Sequence, residues 1–347
     1  MINKPILTIA IPTYNRSEEL EKILLQLGSE KNKLFEILIS DDNSSDNTGM
    51  IVGKYKKKMK NIIYNKNRQN IGYSGNVCKL YELANTRYIW FLCDDDSVLP
   101  GGVKKVTDAI IKYEPVVAIF NCTWTNPFGK KALAGVEKDI VYDNIKSFKN
   151  YQALMRATFL SILVVEKRCT IDPLKKLEYK NNIFFQLTLS VYLLSNKFKF
   201  CEIGSLVLHR NVGYKYGEFF KFYLIDYLKA IFIHPHKFDN RKFIVWSIRN
   251  LPIALQLYLS QKIGLFKYHG SPSKETRDKI KEYYGIYSIF IAMFKPLYIL
   301  TPSFIVKLTY FLLLVRAHGF HRGKIIYRVN VNRAYSDKRQ TGFTEYR

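Results

Sequence analysis

The chain opens as an alternation of apolar and polar blocks. Ile6-Leu7-Thr8-Ile9-Ala10-Ile11 is nearly all apolar and rich in β-branched residues, the pattern of a strand buried on both faces, and Pro12 ends it. Ser17 is placed to cap a helix, with Glu18 and Glu19 in its first turn and Leu20, Ile23, Leu24 and Leu27 on one face. Phe35 to Ser40 reads as a second strand, followed by the polar turn Asp41 to Asp46, and Asn61 to Asn65 as a short third. Ser74 is expected to open a helix that buries Val77, Leu80, Tyr81 and Ala84. Tyr88 to Cys93 reads as a fourth strand. Pro100 suits the first turn of a helix burying Val103, Val106 and Ile110, and Val116 to Asn121 reads as a fifth strand. Such βαβ alternation predicts an α/β fold with a mostly parallel, doubly wound sheet.

The fourth strand ends in Asp94-Asp95-Asp96-Ser97. Three adjacent carboxylates repel one another, and a fold gains nothing from them without a cation. Hard divalent cations take oxygen ligands, and Mg²⁺ sites combine one or two carboxylates with substrate phosphates. In open α/β sheets ligands bind beyond the carboxyl ends of the strands, where Asp42 also falls. The run therefore points to a metal-bound phosphate or diphosphate. The alternative is an acidic solvated turn in which Asp96 or Ser97 caps the next helix.

With 347 residues, 48% of them hydrophobic, the chain can form a sizeable core. The net charge of +25 implies an anionic partner: nucleic acid, anionic lipid or a phosphorylated substrate. Much of the excess is late, with 23 Lys and Arg against 8 Asp and Glu from Asn211 onward. The run Lys54 to Lys60 reads as a solvated helix end. Aromatic or groove-reading motifs are missing around it, so no nucleic-acid role is expected. Five scattered cysteines without C-x-x-C spacing argue against a disulfide framework or zinc site and suit a reducing cytoplasm. Ile6 to Ile11 is too short for the apolar core of a signal peptide, and no charge-free apolar run reaches the roughly 18–20 residues of a transmembrane helix.

Four segments now carry a resemblance: Ile9-Ala10-Ile11-Pro12-Thr13-Tyr14-Asn15-Arg16, Ile39-Ser40-Asp41-Asp42-Asn43-Ser44-Ser45-Asp46, Asn70-Ile71-Gly72 and Asp94-Asp95-Asp96. In order and spacing they resemble the signatures of family 2 glycosyltransferases with the GT-A fold. The resemblance covers roughly residues 5 to 125 and is weak beyond. It implies a Rossmann-like, mostly parallel sheet sandwiched by helices. It implies an inverting, metal-dependent transfer of a sugar from a nucleotide-diphosphate donor to a glycan hydroxyl, with Mg²⁺ or Mn²⁺ as cofactor.

By the same resemblance Pro12, Tyr14 and Arg16 line the nucleobase pocket, where Tyr14 offers a stacking face and Arg16 a fork for phosphate or base oxygens. Asp42, with Asp41 second, would accept from a base N–H, which favours a UDP donor. Asn70 and Gly72 would border the donor sugar, with the following helix N-terminus favouring a diphosphate. Asp94 would lie near the ribose and Asp96 on the metal, with Asp95 as the alternative ligand. Arg210, or His209, would contact the diphosphate. The Glu-Asp pair that usually supplies the base is not evident here. Glu178, Asp172 and Glu166 are the candidates, with Glu178 best spaced, and Phe184 to Leu189 reads as a buried helix closing the acceptor side.

Residues 1–210 are thus expected to form the catalytic domain, with a nucleotide half 1–125 and an acceptor half 126–210. Residues 211–347 are expected to form a basic, helical extension. Between Tyr283 and Ser336 there is no Asp or Glu but seven Lys or Arg, and Phe290, Phe294, Phe304 and Phe311 stand among many apolar residues. Phe219 to Ile233 and Ile244 to Phe266 add aromatic, basic helix. Such segments suit helices lying on an anionic bilayer; the alternative is a subdomain packed on the catalytic domain. Together with the resemblance, this suggests a polyprenyl-diphosphate-linked glycan acceptor at the inner face of the cell membrane, in surface-polysaccharide synthesis. Two further readings are a nucleotidyltransferase and a polyanion- or membrane-binding module with a decayed site.

Overall fold

The computed structural model describes residues 4–31, 34–125, 131–145, 148, 150–167, 182–210, 248, 255, 274–284 and 288–306. Four parallel strands form one half of the sheet: β1 (Leu7–Thr13), β2 (Phe35–Asp41), β3 (Ile62–Lys66) and β4 (Tyr88–Phe91), in the order β3-β2-β1-β4. Helices α1 (Ser17–Gly28), α2 (Thr48–Lys58) and α3 (Gly72–Leu83) connect them. Every residue of β1 is buried, so both of its faces are covered. Helix α1 buries Leu20, Ile23, Leu24 and Leu27, the four expected from the pattern. Each such side chain contributes about 1.5–3 kcal/mol relative to exposure.

Beyond β4 the sheet becomes mixed. A two-residue strand, β5 (Ser97–Val98), follows the acidic turn and leads into α4 (Gly102–Tyr113). Then come β6 (Val117–Thr125), β7 (Lys131–Ala134), β8 (Ile140–Tyr142), α5 (Tyr151–Arg156), a 3₁₀ turn at Leu160–Ile162, β9 (Leu163–Glu166), α6 (Phe185–Asn196) and β10 (Phe200–Arg210). The order continues β4-β9-β6-β10-β5, with β7 on β6 and β8 on β10. β9 runs antiparallel between β4 and β6, so β6 does not extend the parallel set directly. A chain that arrives from the 3₁₀ turn at the far end of β4 can only run back along it. α4 lies so close to β10 that a Cβ on Gly102 would sit 2.6 Å from the Val207 carbonyl oxygen. Three short helices follow among the described residues: α7 (Lys274–Tyr284), α8 (Ser288–Ala292) and α9 (Phe294–Leu300).

Several helix starts differ from expectation. Ser17 is the first residue of α1, not its cap, and its N–H is met by Asp46 Oδ2 at 3.0 Å. α3 begins at Gly72, two residues before Ser74. Pro100 lies before α4, because Gly101 turns the chain through a left-handed φ of 71°. Ser97 caps no helix; it pairs with His209 in β5.

A buried ionic network ties the second half together. Glu202 on β10, fully buried, accepts from Tyr142 Oη at 2.8 Å, Asn150 Nδ2 at 2.8 Å and Arg156 Nη1 at 3.1 Å. Arg156 also donates to the carbonyls of Phe120 and Ala134. Burial pushes the Glu202 carboxyl up, while Tyr142, Arg156 and Asn150 pull it back. Removing one charge strands the other. Glu202→Ala is expected to cost about 3–5 kcal/mol in urea unfolding. The double variant Glu202→Leu/Arg156→Met should recover part of that loss, and a double variant no more stable than the single one would count against the network.

Candidate active site

The carboxyl ends of β1, β2 and β4 open onto one cleft of about 460 Å³. Pro12, Tyr14, Arg16, Asp42, Asn70, Gly72, Asp94, Asp95, Asp96 and Arg210 all line it. The topology gathers them because parallel strands place the residues that follow each strand at the same edge. Tyr14 is half exposed, as a stacking surface must be. Tyr73, also half exposed, borders the same cleft.

The first two loops brace each other. Asn15 adopts a left-handed φ of 51°, a conformation Asn tolerates better than most residues. Its N–H donates to Ser44 Oγ at 2.9 Å, and its Oδ1 accepts from Ser45 N at 2.8 Å. Asp41 is fully buried and accepts from Tyr64 Oη at 2.6 Å and Ser44 N at 2.8 Å, which makes it a structural residue of the turn.

Asp42 has a different position from the one a base-reading residue needs alone. Its Oδ1 accepts from Asn67 Nδ2 and Ile71 N, and its Oδ2 from Gly72 N, all at 2.9 Å. It therefore holds the N-terminus of α3, and a ligand diphosphate there would meet a carboxylate already in place. A carboxylate has about four acceptor positions, and donors among the described residues fill three of them.

The acidic turn is built around Arg16. Its Nη1 lies 3.1 Å from Asp94 Oδ1 and 2.8 Å from Asp95 Oδ2. Burial alone would lower the Arg16 pKa, but Asp94 and Asp95 hold it above its usual value. Burial pushes the Asp94 carboxyl up to about 6, against the pull of Arg16. Asp94 Oδ2 and Thr13 Oγ1 are both buried outside hydrogen-bonding distance of a partner, although the Thr13 hydroxyl still pulls the Asp94 pKa down. Ligand atoms of Cys93, Asp95 and Asp96 lie within 4.8 Å of one another. Burial, with Asp96 and Asp95 adding to it, raises the Cys93 thiol well above its ordinary range, so the oxygens are the ready ligands. Three carboxylates against one guanidinium fit a divalent cation.

The opposite wall was not foreseen from sequence. Thr158, Phe159, Leu160, Ser161 and Ile162 line the cleft. Ser161 fixes the acidic turn: its Oγ accepts from Cys93 N at 2.9 Å and its carbonyl from Trp90 Nε1 at 2.7 Å. The Arg210 guanidinium lies 4.0 Å from the centre of the Phe159 ring. His209 instead bonds Thr123 Oγ1 at 2.9 Å and does not line the cleft. The apolar, β-branched run Leu163-Val164-Val165 was the available signal for β9 and hence for this wall.

Glu166 is excluded as a base. It pairs in register with Tyr88, at the start of β4 and so at the end of the sheet away from the acidic turn, and it is bound to Arg87 at 3.1 Å. Asp172 and Glu178 lie outside the described residues.

A parallel βαβ half-sheet that continues into a mixed half, with an acidic turn at the carboxyl end of β4, is an α/β fold of GT-A type. Residues 8–165 match the family described as glycosyl transferase family 2. The chain is similar to the GalNAc(5)-diNAcBac-PP-undecaprenol beta-1,3-glucosyltransferase of Campylobacter jejuni, 37% identical over 101 residues, 28% of this chain and 32% of the relative. It is also similar to the abequosyltransferase RfbV of Salmonella typhimurium, 34% identical over 96 residues, 27% of this chain and 29% of the relative. The chain thus spans about a third of the length of these curated relatives. Residues 1–349 of S. aureus TarS, solved in complex with UDP, share the fold, with a TM-score of 0.51 at 15% identity over 94% of this chain and 97% of that one.

Proposed function

We propose that this chain is a metal-dependent, inverting glycosyltransferase that moves a sugar from a nucleotide diphosphate, UDP by preference, to a hydroxyl of a lipid-linked glycan. The observation that carries the reading is the cleft where Tyr14, Arg16 and Asp42 meet the carboxylates Asp94 to Asp96. Tyr14 stacks on the base, and the remaining acceptor position of Asp42 takes its N–H. Asp96 and Asp95 would hold Mg²⁺ or Mn²⁺, which when bound neutralises charge on the leaving diphosphate. Arg16 compensates Asp94 and Asp95, and Arg210 supplies a second guanidinium for phosphate oxygens. The PP-undecaprenol in the Campylobacter relative's name supports a lipid-linked acceptor. A binding module with a decayed site predicts no metal effect on nucleotide affinity. Titrating UDP calorimetrically with and without Mn²⁺ should show tighter binding with the metal, and Asp96→Ala should abolish that difference. Equal affinities in wild type would remove the metal from the reading.

The base comes, in this proposal, from the segment just before the cleft wall. Ile183 and Phe184 line the cleft, and Glu178 precedes Ile183 by five residues, a reach of at most about 18 Å. Glu178→Gln should leave UDP binding intact and lower kcat by roughly 10²- to 10⁴-fold. Unchanged turnover would transfer the role to Asp172 or elsewhere.

The carboxy-terminal helices support a membrane-facing role. Among the described residues, no helix is long and apolar enough to cross a membrane. Yet Ile289, Phe290, Met293, Ile299, Leu300 and Phe304 are all exposed, Leu300 to 75%. No Asp or Glu occurs between Ser288 and Val306. Apolar side chains beside a basic sequence suit insertion into an anionic headgroup layer. The protein should sediment with anionic liposomes, and Phe290→Asp/Leu300→Asp/Phe304→Asp should release it. A triple variant that still sediments would favour helices that merely pack on the domain.

A further inference from the structure

Three cleft-lining residues carry a buried polar atom that meets no hydrogen-bond partner: Thr13 Oγ1, Asp94 Oδ2 and Gln186 Oε1. The Thr13 hydroxyl acts on the Asp94 carboxyl and so goes with it. Asp94 belongs to the acidic turn. Gln186 does not: it is the second residue of α6, on the opposite wall, and only 2% exposed. Its Nε2 donates to the Thr158 carbonyl at 2.6 Å. A carbonyl oxygen only accepts, so the nitrogen must face Thr158. Oε1 is then fixed as an acceptor with nothing to accept from. The other polar residues on this buried helix are provided for. Thr188 accepts from Asn182 Nδ2, and Ser190 donates to the Gln186 carbonyl. A buried acceptor left unmet disfavours folding, so its presence on a cleft wall points to a ligand that meets it.

The chemistry of that ligand follows from the surroundings. Thr158 begins the backbone segment whose Ser161 fixes the acidic turn through Cys93 and Trp90. Gln186 is therefore anchored to the backbone that positions the carboxylates. A diphosphate oxygen would be repelled by Oε1; a hydroxyl can donate to it. Ile162, Ile183, Phe184 and Leu208 line the same cleft with apolar surface, which suits the C–H faces of a sugar ring. We propose that Gln186 is a specificity-determining residue whose Oε1 accepts a hydrogen bond from a sugar hydroxyl at the reacting end of the cleft. This rests on the glycosyl-transfer reading above.

The test uses the full chain and Gln186→Met, which keeps length and removes the amide. UDP-glucose, UDP-galactose, UDP-N-acetylglucosamine and GDP-mannose are screened for hydrolysis, and for transfer to p-nitrophenyl glycosides, with nucleotide binding and melting temperature as controls. Q186M is expected to bind the free nucleotide as wild type does and to lose about 5- to 150-fold in kcat/KM, the worth of one buried acceptor. A loss in both hydrolysis and transfer assigns the hydroxyl to the transferred sugar; a loss in transfer alone assigns it to the acceptor. Should Q186M fail to fold, monodeoxy forms of the substrates decide on wild type: removing one particular hydroxyl should cost at least about fivefold. Free-nucleotide binding kept, with no loss in either reaction and no sensitive hydroxyl, overturns the assignment alone. A wild type that binds no nucleotide overturns the glycosyl-transfer reading and this assignment with it.

Discussion

Three carboxylates crowd the end of a buried strand, and the surrounding structure is organised to hold them there. β4 delivers Asp94 to Asp96 into a low-dielectric corner, where like charges repel most strongly. Arg16, from the loop after β1, offsets part of that charge by bonding Asp94 and Asp95 with one nitrogen. Ser161, from the 3₁₀ turn that leads into the neighbouring strand β9, ties the backbone of the turn. β5 then pairs at once with β10, so the turn is held on both sides by strands. Burial raises the Asp94 pKa to about 6, with Asp95 adding a smaller push. All of these interactions cross large sequence distances, which is why the turn cannot form locally.

A second carboxylate has a complementary task. Asp42 gathers Asn67, Ile71 and Gly72, and Asn67 in turn donates to Asn76 Oδ1 at 3.1 Å, while Asn76 Nδ2 reaches the Ser40 carbonyl at 2.8 Å. The end of β2 and the start of α3 are thereby one hydrogen-bonded unit. The left-handed φ of 75° at Gly72 lets its N–H turn toward Asp42 without a Cβ penalty. The same residue that borders the cleft thus also supports the helix behind it, so stability and ligand geometry are coupled on this side.

The remaining wall is made differently. The 158–162 segment and the start of α6 are held by buried carbonyls and amides, with Arg156 and Glu202 bracing the strands beneath. Of this half the pattern gives only the strand at Val116 to Asn121 and the helix at Phe184 to Leu189. Its sheet mixes the long parallel pair β6–β10 with short antiparallel strands, and several of its polar residues are buried in pairs.

The chain by itself determined the parallel half of the sheet, β1 to β4 with α1 to α3. Its strands are continuous apolar runs and its helices have one apolar face, so burial dictates where each lies, and parallel order brings Tyr14, Arg16, Asp42 and Asp94 to Asp96 to one edge. Tertiary structure alone decided the partners of those residues. That Asp46 serves Ser17, that Asp42 serves α3, that Arg16 sits on Asp94 and Asp95, and that Glu166 is bound to Arg87 at the opposite end all depend on contacts between residues 29 to 79 positions apart. Local pattern carries burial, which is a property of one residue and its neighbours. Pairing is a property of two distant residues, and only the closed sheet brings them within hydrogen-bonding distance.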